Sequence, residues 1–372
     1  MNEPHVDARE PPDDAAQAAA PDADAASGAT TATQAVPFAF TGLTREYFRI
    51  WIVSLALSIL TAGIYSAWGK VRKKRYLLDH TRIAGDGLDF RGTPLAILRG
   101  RIIAVVLFGG IALGRHVMLE LQLAFIALLL LLTPWIAVAS ARFNARNTFY
   151  RNVAFDFDGR LATAFKVFLG FGALAIVTLG LAYPWFRARR ARFLVAGHRY
   201  GATPFTASVG TGDFVLMYLL AGLAVVASVI VFGVGTGVAI AARASQGAEA
   251  APPIGFYLGL ALFYASYIVI FAFVRARTQN LIANGTIVGP VHMQSGLRGT
   301  WLSWLYVTNI VAVIGTLGLA TPWAVVRLAR YRARTLTLTA SAPLETLPVA
   351  SAGRASATGS EVSDLFDVDV AL

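Results

Sequence analysis

The architecture of this chain follows from a motif whose third copy reads Thr316-Leu-Gly318-Leu-Ala-Thr-Pro322-Trp323 and continues to Arg327, Arg330 and Tyr331. Two earlier stretches align with it without a gap, and all three follow the pattern T-x-G-[IL]-x-x-[AP]-W-x-x-x-R-x-x-R-[YF]. The two earlier copies contain, in order, Thr61, Gly63, Ala67, Trp68, Arg72, Arg75 and Tyr76, and then Thr178, Gly180, Pro184, Trp185, Arg189, Arg192 and Phe193. Chance rarely produces three ungapped matches of this length, so the sequence predicts an internal repeat.

Seven apolar runs predict that the chain is an integral membrane protein. Of its 372 residues, 56% are hydrophobic and 14% are charged, whereas about a quarter of the residues in a soluble domain are charged. The runs cover residues 50–68, 102–118, 121–139, 167–185, 214–242, 255–273 and 302–323. Each is close to the roughly 17–25 residues that a helix needs to cross a bilayer. We therefore expect an all-α polytopic integral membrane protein with about seven hydrophobic helices.

The motif divides the chain into repeated units. One unit consists of a motif segment and a helical hairpin, and the chain contains two such units followed by a final motif segment. The units cover residues 38–160, 161–297 and 298–339. Residues 1–37, which are rich in alanine and acidic residues, and residues 340–372 show no apolar period, so we expect disordered tails. Short alternating stretches such as 88–92 predict small β pieces outside the membrane.

Two membrane arrangements are consistent with the basic residues. Most of the 32 Lys and Arg residues lie in clusters beside the apolar runs, and the short loops inside the two hairpins contain only Arg115 and Arg243. If the motif segments span the membrane, the units are inverted repeats as in secondary transporters, but the basic clusters then fall on both sides. If the motif segments enter and return, every cluster faces the cytoplasm, as the positive-inside rule favours. The length of the motif segments favours seven spans.

The motif side chains form a candidate site at the membrane surface. A tryptophan ends each motif run, where indole rings favour the interface. The arginines four and seven residues later, here called the first and second arginines, share one helix face. This face predicts binding of anionic lipid head groups or of an anionic substrate, and the alternative is a flank that only sets topology. The candidate residues are Trp68, Arg72, Arg75, Tyr76, Trp185, Arg189, Arg192, Phe193, Trp323, Arg327, Arg330 and Tyr331.

The motif also contains candidate helix breaks. They are Gly63, Gly180, Pro184, Gly318 and Pro322. Glycine and proline inside an apolar segment weaken the helix, and matching interruptions mark the binding sites of some transporters. The alternative is close packing of helices through small residues. Ala67 replaces the proline in the first copy, so a break there depends on Gly63 alone.

Several stretches resemble a known family. They include Phe38-Ala-Phe-Thr-Gly42, Glu46-Tyr-Phe-Arg-Ile-Trp51, Phe90-Arg-Gly-Thr-Pro94 and Arg142-Phe-Asn-Ala-Arg-Asn147-Thr148. Over residues 38–338 the chain resembles the YjgN-like family of bacterial inner-membrane proteins, whose function is undefined. The resemblance implies a multi-pass protein of the bacterial inner (cytoplasmic) membrane and transfers no catalytic residues. The C-terminal half departs from the pattern, because Asn147-Thr148 has no clear partner near Gln279-Asn280.

The sequence shows no motif that predicts catalysis or metal binding. Cysteine is absent, which excludes disulfides, thiolate catalysis and thiolate metal sites. The five histidines are scattered, although His80 and His198 follow their motif copies at similar offsets. The net charge of +11 is explained by membrane flanks and does not require nucleic-acid binding. We expect no enzyme activity, no cofactor and no metal, and we expect membrane lipids as partners.

Two functions stay open at this point. The repeat architecture favours a transporter or a channel-like protein, by analogy with known folds. The alternative is a non-catalytic membrane scaffold that binds anionic phospholipid head groups through interfacial helices rich in Trp and Arg.

Overall fold

Ten short strands form a closed antiparallel barrel in the computed structural model, which describes residues 34–245 and 254–341. Consecutive strands are neighbours in the barrel, and the first strand pairs with the last to close it, with Val36 opposite Leu338. The strands are β1 (Gln34–Phe40), β2 (Thr81–Ile83), β3 (Asp86–Phe90), β4 (Thr148–Tyr150), β5 (Val153–Phe157), β6 (His198–Tyr200), β7 (Thr203–Ala207), β8 (Thr286–Val288), β9 (Val291–Ser295) and β10 (Leu336–Ala340).

Helical hairpins alternate with these strands, and each hairpin begins and ends at the barrel. Two of them, here called the spanning hairpins, consist of α3 (Pro94–Val117) with α4 (Leu119–Arg146), and α8 (Thr211–Ala244) with α9 (Ile254–Asn284). The other three contain the motif copies and are called the motif hairpins. They consist of α1 (Thr44–Leu60) with α2 (Ser66–Asp79); α5 (Leu161–Phe165), a π-helical turn (Lys166–Phe171) and α6 (Gly172–Val177) with α7 (Tyr183–Gly197); and α10 (Gly299–Gly315) with α11 (Thr321–Arg334).

Apolar side chains from all ten strands pack together inside the barrel. The buried rings of Tyr150 and Tyr200 belong to this core, and their hydroxyl groups donate to the carbonyls of Ile83 and Tyr150, each at 3.1 Å. These bonds satisfy the polar ends of the rings. Because the sheet is closed, it has no unpaired edge. All the helical hairpins extend from this packed barrel.

The prediction of an all-α fold with about seven hydrophobic helices and small β pieces is wrong. The strands form a complete barrel, and four helices of the described chain, α3, α4, α8 and α9, are long and apolar enough to cross a membrane. Most strands have only three to five residues, which is too short for alternation to predict a barrel. The count of seven runs failed because the turns that break the motif segments are themselves apolar.

A left-handed turn at the motif glycine breaks each motif segment. Gly180 has a φ of +91°, and Leu179 before it has a φ of +52°. The Gly180 N–H donates to the Ala175 carbonyl at 2.7 Å, which closes the end of α6. The same pair of left-handed residues occurs at Ala62-Gly63 and at Leu317-Gly318.

The motif threonine joins the two helices of each motif hairpin. Thr178 Oγ1 donates to the Leu174 carbonyl at 2.8 Å and accepts the Ala182 N–H at 3.0 Å. Thr61 and Thr316 accept the equivalent N–H, each at 2.9 Å. The hydroxyl thus provides a partner for an N–H at the start of the second helix, where a helix supplies none.

The motif prolines begin the second helix. Pro184 and Pro322 lie in the first turn of α7 and α11, where proline is tolerated because its missing N–H has no helical partner. The break in each segment is therefore at the glycine. In the first copy Ala67 is fully buried near the start of α2.

The barrel determines the course of the hairpins. Because both ends of each hairpin lie at the barrel, its helices run out and back. Four helices of the described residues, and not seven, are long and apolar enough to span a membrane, so the seven-span arrangement is wrong. Arg115 and Arg243 lie in the last turns of α3 and α8, at the far ends of the spanning hairpins.

Replacing Gly318 by alanine should destabilise the third motif hairpin. A side chain at φ +93° is strained although the space around it is open, and we expect the free energy of unfolding to fall by about 1–2 kcal/mol. The measurement is the unfolding midpoint in detergent. Gly315 in α10 also has open space around it, so Gly315→Ala should leave stability unchanged or raise it. Equal loss in both variants would contradict the strained turn.

Single cysteines can test the out-and-back arrangement, since the chain has no native cysteine. Ala84, Asn152 and Ala202 are exposed in the turns of three successive β-hairpins, and Ser245 is exposed after α8. We expect an impermeant maleimide on spheroplasts to label Ser245→Cys and none of the other three, because the positive-inside rule predicts that the basic barrel side faces the cytoplasm. Labelling of Ala202→Cys without labelling of Asn152→Cys would contradict the out-and-back arrangement.

Candidate functional site

The turns of the motif hairpins expose large apolar side chains. Leu179 and Leu317, each next to its motif glycine, are both 95% exposed. The neighbouring Leu60, Val177 and Ile314 are exposed as well. Contiguous apolar surface of this kind marks contact with another apolar phase, such as a membrane. The hairpin tips are therefore suited to contact with lipid acyl chains.

The motif tryptophans lie at the start of the second helix, just beyond the tip. Trp185 and Trp323 are exposed on α7 and α11. Trp68 is half-buried and stacks on Tyr65, with 6.0 Å between the ring centroids. An indole ring beside an apolar tip is suited to the level of the lipid head groups.

Two of the three first arginines lie on the surface. Arg72 is exposed, and its Cζ lies 5.7 Å from the centre of the Tyr65 ring. Arg189 is exposed, and its Cζ lies 5.5 Å from the centre of the Phe171 ring. A guanidinium that rests on an aromatic ring still presents its N–H edge, which is the edge that binds phosphate or carboxylate.

The remaining first arginine is held inside its own hairpin. Arg327 Nη1 donates to Thr308 Oγ1 at 2.6 Å and to Asn309 Oδ1 at 3.1 Å. Asn309 is buried in α10, and its Nδ2 donates to the Ala324 carbonyl of α11 at 3.5 Å. Arg327 therefore links the two helices and is less available to a ligand than Arg72 or Arg189.

The second arginines bind backbone carbonyls where a strand leads into a following helix. The bonds join Arg75 Nε to Phe90 O (3.1 Å), Arg192 Nε to Val209 O (2.7 Å) and Arg330 Nη2 to Gly42 O (3.2 Å). Each bond fastens a motif helix to the barrel, and a charged donor strengthens it.

The spanning hairpins contain equivalent bonds that were not predicted from the sequence. Arg142 Nε donates to the Phe157 carbonyl at 3.3 Å, and Asn280 Nδ2 donates to the Leu297 carbonyl at 2.8 Å. The sequence separation is 15 or 17 residues in these bonds and in those of Arg75 and Arg192. This recurring sequence separation is the signal from which the bonds of Arg142 and Asn280 could have been predicted.

The aromatic residue after the second arginine closes a loop in two of the copies. Tyr76 Oη accepts the Leu43 N–H at 2.8 Å and lies 2.9 Å from Glu46 Oε2, to which it donates. Burial, followed by the hydrogen bond to Glu46, raises the pKa of Tyr76 to about 12. In the third copy Tyr331 Oη accepts the Arg298 N–H at 3.0 Å and donates to the Arg298 carbonyl at 3.3 Å.

The second copy has Phe193 at this position, and its ring has no hydroxyl group. The ring packs edge-on against Phe157, with 5.9 Å between centroids. Arg160 precedes α5 as Leu43 precedes α1 and Arg298 precedes α10. Within the described residues, the Arg160 N–H has no hydrogen-bond partner.

A cavity of about 390 Å³ lies beside Phe193. Its lining includes Asp158, Arg160, Arg189 and Arg192. The Asp158 carboxylate is paired with Arg199 at 2.8 Å, so its charge is balanced and the cavity has an excess of positive charge. The cavity brings together three sequence-predicted candidates, Arg189, Arg192 and Phe193, with Arg160, which was not predicted.

The two histidines at similar offsets lie at helix ends. His198 is buried, and its Nδ1 lies 2.6 Å from the Leu194 carbonyl at the end of α7. His80 makes the corresponding contact at 2.9 Å at the end of α2, and Asn147 makes it through Nδ2 at 2.8 Å at the end of α4. The residues described by the structure contain no group of His, Asp and Glu placed to hold a metal.

Acid should destabilise the protein through His198. Burial lowers the pKa of this imidazole below its ordinary value of 6.5, although the bond to the Leu194 carbonyl and the charge of Asp156 oppose the shift. The unfolded chain therefore binds a proton near pH 6.5 that the folded chain does not bind. The free energy of unfolding should be highest above pH 6.5 and decrease as the pH falls below it, which the unfolding midpoint measures.

Two variants separate His198 from other groups. His198→Asn keeps a donor for the Leu194 carbonyl, as Asn147 does at the end of α4, and should remove most of the pH dependence below 6.5. His292 is exposed, so His292→Asn should leave the pH dependence unchanged. An unaltered pH profile in His198→Asn would show that another group is responsible.

The chain is similar to known bacterial proteins over most of its length. The family described as "Bacterial protein of unknown function (DUF898)" matches residues 35–365. The inner membrane protein YjgN of Salmonella typhimurium (strain LT2) is 25% identical over 141 residues, which are 38% of this chain and 36% of that protein. YjgN of Escherichia coli (strain K12) is 29% identical over 122 residues, which are 32% and 31% of the two chains. No solved structure matches the chain.

The matched stretch spans about a third of the length of these curated relatives. The resemblance to the YjgN-like family is nevertheless confirmed, because the family match covers nearly the whole described chain. The chain is a membrane protein with four helices able to span a bilayer, and it belongs to the DUF898 family of bacterial proteins of unknown function.

Proposed function

We propose that this protein is a non-catalytic, multi-pass scaffold of the bacterial inner membrane that binds anionic phospholipid head groups through its motif hairpins. One observation carries the proposal. Each motif hairpin presents an apolar tip with exposed residues such as Leu179 and Leu317, and the exposed guanidiniums of Arg72 and Arg189 follow one to two turns later. Acyl chains suit the tips, and phosphate suits the guanidiniums.

A contact with α3 supports shallow insertion of the first motif hairpin. Arg101 donates to the Gly63 carbonyl at 3.3 Å and also to Ser66 Oγ, both at the turn. Arg101 is the eighth residue of α3, about 10 Å along this helix from the barrel. The turn is therefore held near the barrel end of the spanning hairpin, and the second helix lies at the depth of the head groups.

The charge distribution supports a cytoplasmic barrel. The barrel end of each hairpin is basic, while the far ends of α3 and α8 contain only Arg115 and Arg243 among Lys and Arg. Cytoplasmic surfaces are basic, and each basic residue near an anionic leaflet contributes about 1 kcal/mol of attraction. The first arginines then face the leaflet to which they are attracted.

The proposal includes an internal repeat of a helical hairpin joined to a β-hairpin. The equal turns at the three motif glycines support it. The bonds of Arg142 and Asn280 in the spanning hairpins, which match those of the second arginines, support it further. In this interpretation the motif hairpins are shortened forms of a unit that crosses the membrane elsewhere.

The packed barrel favours a scaffold over a transporter. Side chains from all ten strands, including Tyr150 and Tyr200, fill the space along the barrel axis, where a channel through the barrel would run. Interruptions of the motif segments lie at exposed tips such as Leu317, whereas transporter sites lie between helices near the midplane. Transport stays a prediction without an observation that favours it.

Replacing the exposed first arginines should reduce the retention of anionic lipid. The double variant Arg72→Gln, Arg189→Gln removes two guanidiniums that rest only on aromatic rings. Purified from membranes in neutral detergent, it should keep several-fold less phosphatidylglycerol per chain by native mass spectrometry, as expected from about 1 kcal/mol per charge. The single variant Arg72→Gln should show part of this loss.

The matched control is Arg82→Gln, which removes one positive charge from β2 in the barrel. Arg82 is exposed, and its side chain donates to the Gly85 carbonyl. We expect its lipid retention to equal that of the unmodified protein. Equal lipid retention in all variants, or the same loss in Arg82→Gln, would overturn the proposal.

A further inference from the structure

We infer that the second motif copy contains a binding site for a single phosphate group in the cavity beside Phe193, a cavity whose place in the first and third copies is taken by a tyrosine hydroxyl. The ligand chemistry is a phosphate ester, either the phosphodiester of a phospholipid or a soluble phosphate. If the phosphate belongs to a lipid, the inference rests on the proposed function. If it belongs to a soluble molecule, the inference stands by itself, since the cavity is defined by the chain's own residues.

At the aromatic position, the second copy differs from the first and third by one oxygen atom. In the first copy the hydroxyl of Tyr76 binds the Leu43 N–H, and in the third copy the hydroxyl of Tyr331 binds the Arg298 N–H. Each hydroxyl thereby closes the space between the second helix and the residue that precedes the first helix. Phe193 has no hydroxyl, so this space is open in the second copy.

The open space is lined by groups that favour an anion. The Arg160 N–H corresponds to the two N–H groups that the tyrosines bind, and within the described chain it has no acceptor. An N–H group of this kind requires a partner from water or a ligand. The side chains of Arg160 and Arg189 are exposed at the rim, and both line the cavity.

The other charged residues of the cavity do not oppose the binding of an anion. Arg192 donates to the Val209 carbonyl and to Thr211 Oγ1, each at 2.7 Å, and so adds a fixed positive charge. Asp158, the acidic residue of the lining, is paired with Arg199 at 2.8 Å. Three guanidiniums therefore face one balanced carboxylate.

The size and place of the cavity agree with a phosphate ester. Its volume of about 390 Å³ is well above the roughly 10–15 Å³ that one water molecule requires, so the cavity has room for a ligand larger than water. Gly159 and Gly197, at the junction of the hairpin with the barrel, form part of its wall. A head group in the adjacent leaflet and a soluble phosphate ester can both reach this junction.

The test restores the missing oxygen atom. Phe193→Tyr places a hydroxyl where Tyr76 and Tyr331 have theirs, and it should close the loop at Arg160 without removing any charge. We expect the affinity for phosphate to fall about tenfold or more, because the new hydroxyl would bind the Arg160 N–H and fill part of the cavity. Phe149→Tyr is the control, because Phe149 also contacts an arginine, Arg91, but lies on the barrel.

Two measurements distinguish the source of the phosphate. In neutral detergent, isothermal titration with inorganic phosphate and with glycerol 3-phosphate tests the soluble source. Native mass spectrometry with added phosphatidylglycerol tests the lipid source. Saturable binding of one phosphate per chain in either measurement, weakened by Phe193→Tyr and unchanged in Phe149→Tyr, supports the inference. No saturable binding in both, or equal affinity in Phe193→Tyr, overturns it.

The outcome can be separated from that of the proposed function. Arg72 belongs to the first motif copy and lies outside the cavity, so lipid loss in Arg72→Gln reports on the proposed function alone. If Arg72→Gln keeps its lipid and Phe193→Tyr loses soluble phosphate, the cavity site stands and the scaffold proposal fails. If Arg72→Gln loses lipid and Phe193→Tyr binds phosphate normally, the scaffold proposal stands and the cavity site fails.

Discussion

The pairing of β1 with β10 is the constraint on which the rest of the structure depends. Val36 and Leu338 meet although nearly the whole described chain lies between them. Once the barrel is closed, every helical segment must leave it and return to it, whatever its length. The long segments, α3 with α4 and α8 with α9, consist of helices able to cross a bilayer, whereas the apolar helices of the motif segments have at most 17 residues.

The motif supplies the turn that such a short hairpin needs. Backbone groups at membrane depth must find partners inside the protein, and the Gly180 N–H and the Thr178 hydroxyl provide these bonds at the tip. The left-handed conformation points Leu179 outward, where it is 95% exposed. One short sequence therefore breaks the helix, satisfies its ends and exposes an apolar surface.

The bonds that hold the motif helices to the barrel and the candidate site use different residues of the same motif. The second arginines, such as Arg192, hold helices to the barrel through backbone carbonyls, so their role is mainly structural. The first arginines, such as Arg189, remain on the surface. The aromatic position distinguishes the copies, because Tyr76 closes a loop that Phe193 leaves open. A site arises where one copy departs from the other two.

Sequence patterns alone determined the membrane character, the family, the three motif copies and three of the residues of α7 that line the cavity, Arg189, Arg192 and Phe193. These properties depend on composition and on spacing along one helix, which are local. The barrel and the out-and-back course of the motif segments were decided by tertiary structure, because three-residue strands show no period and their partners lie on other segments. The different roles of Arg189 and Arg192 were also decided by tertiary structure, because the barrel brings the Val209 carbonyl to Arg192.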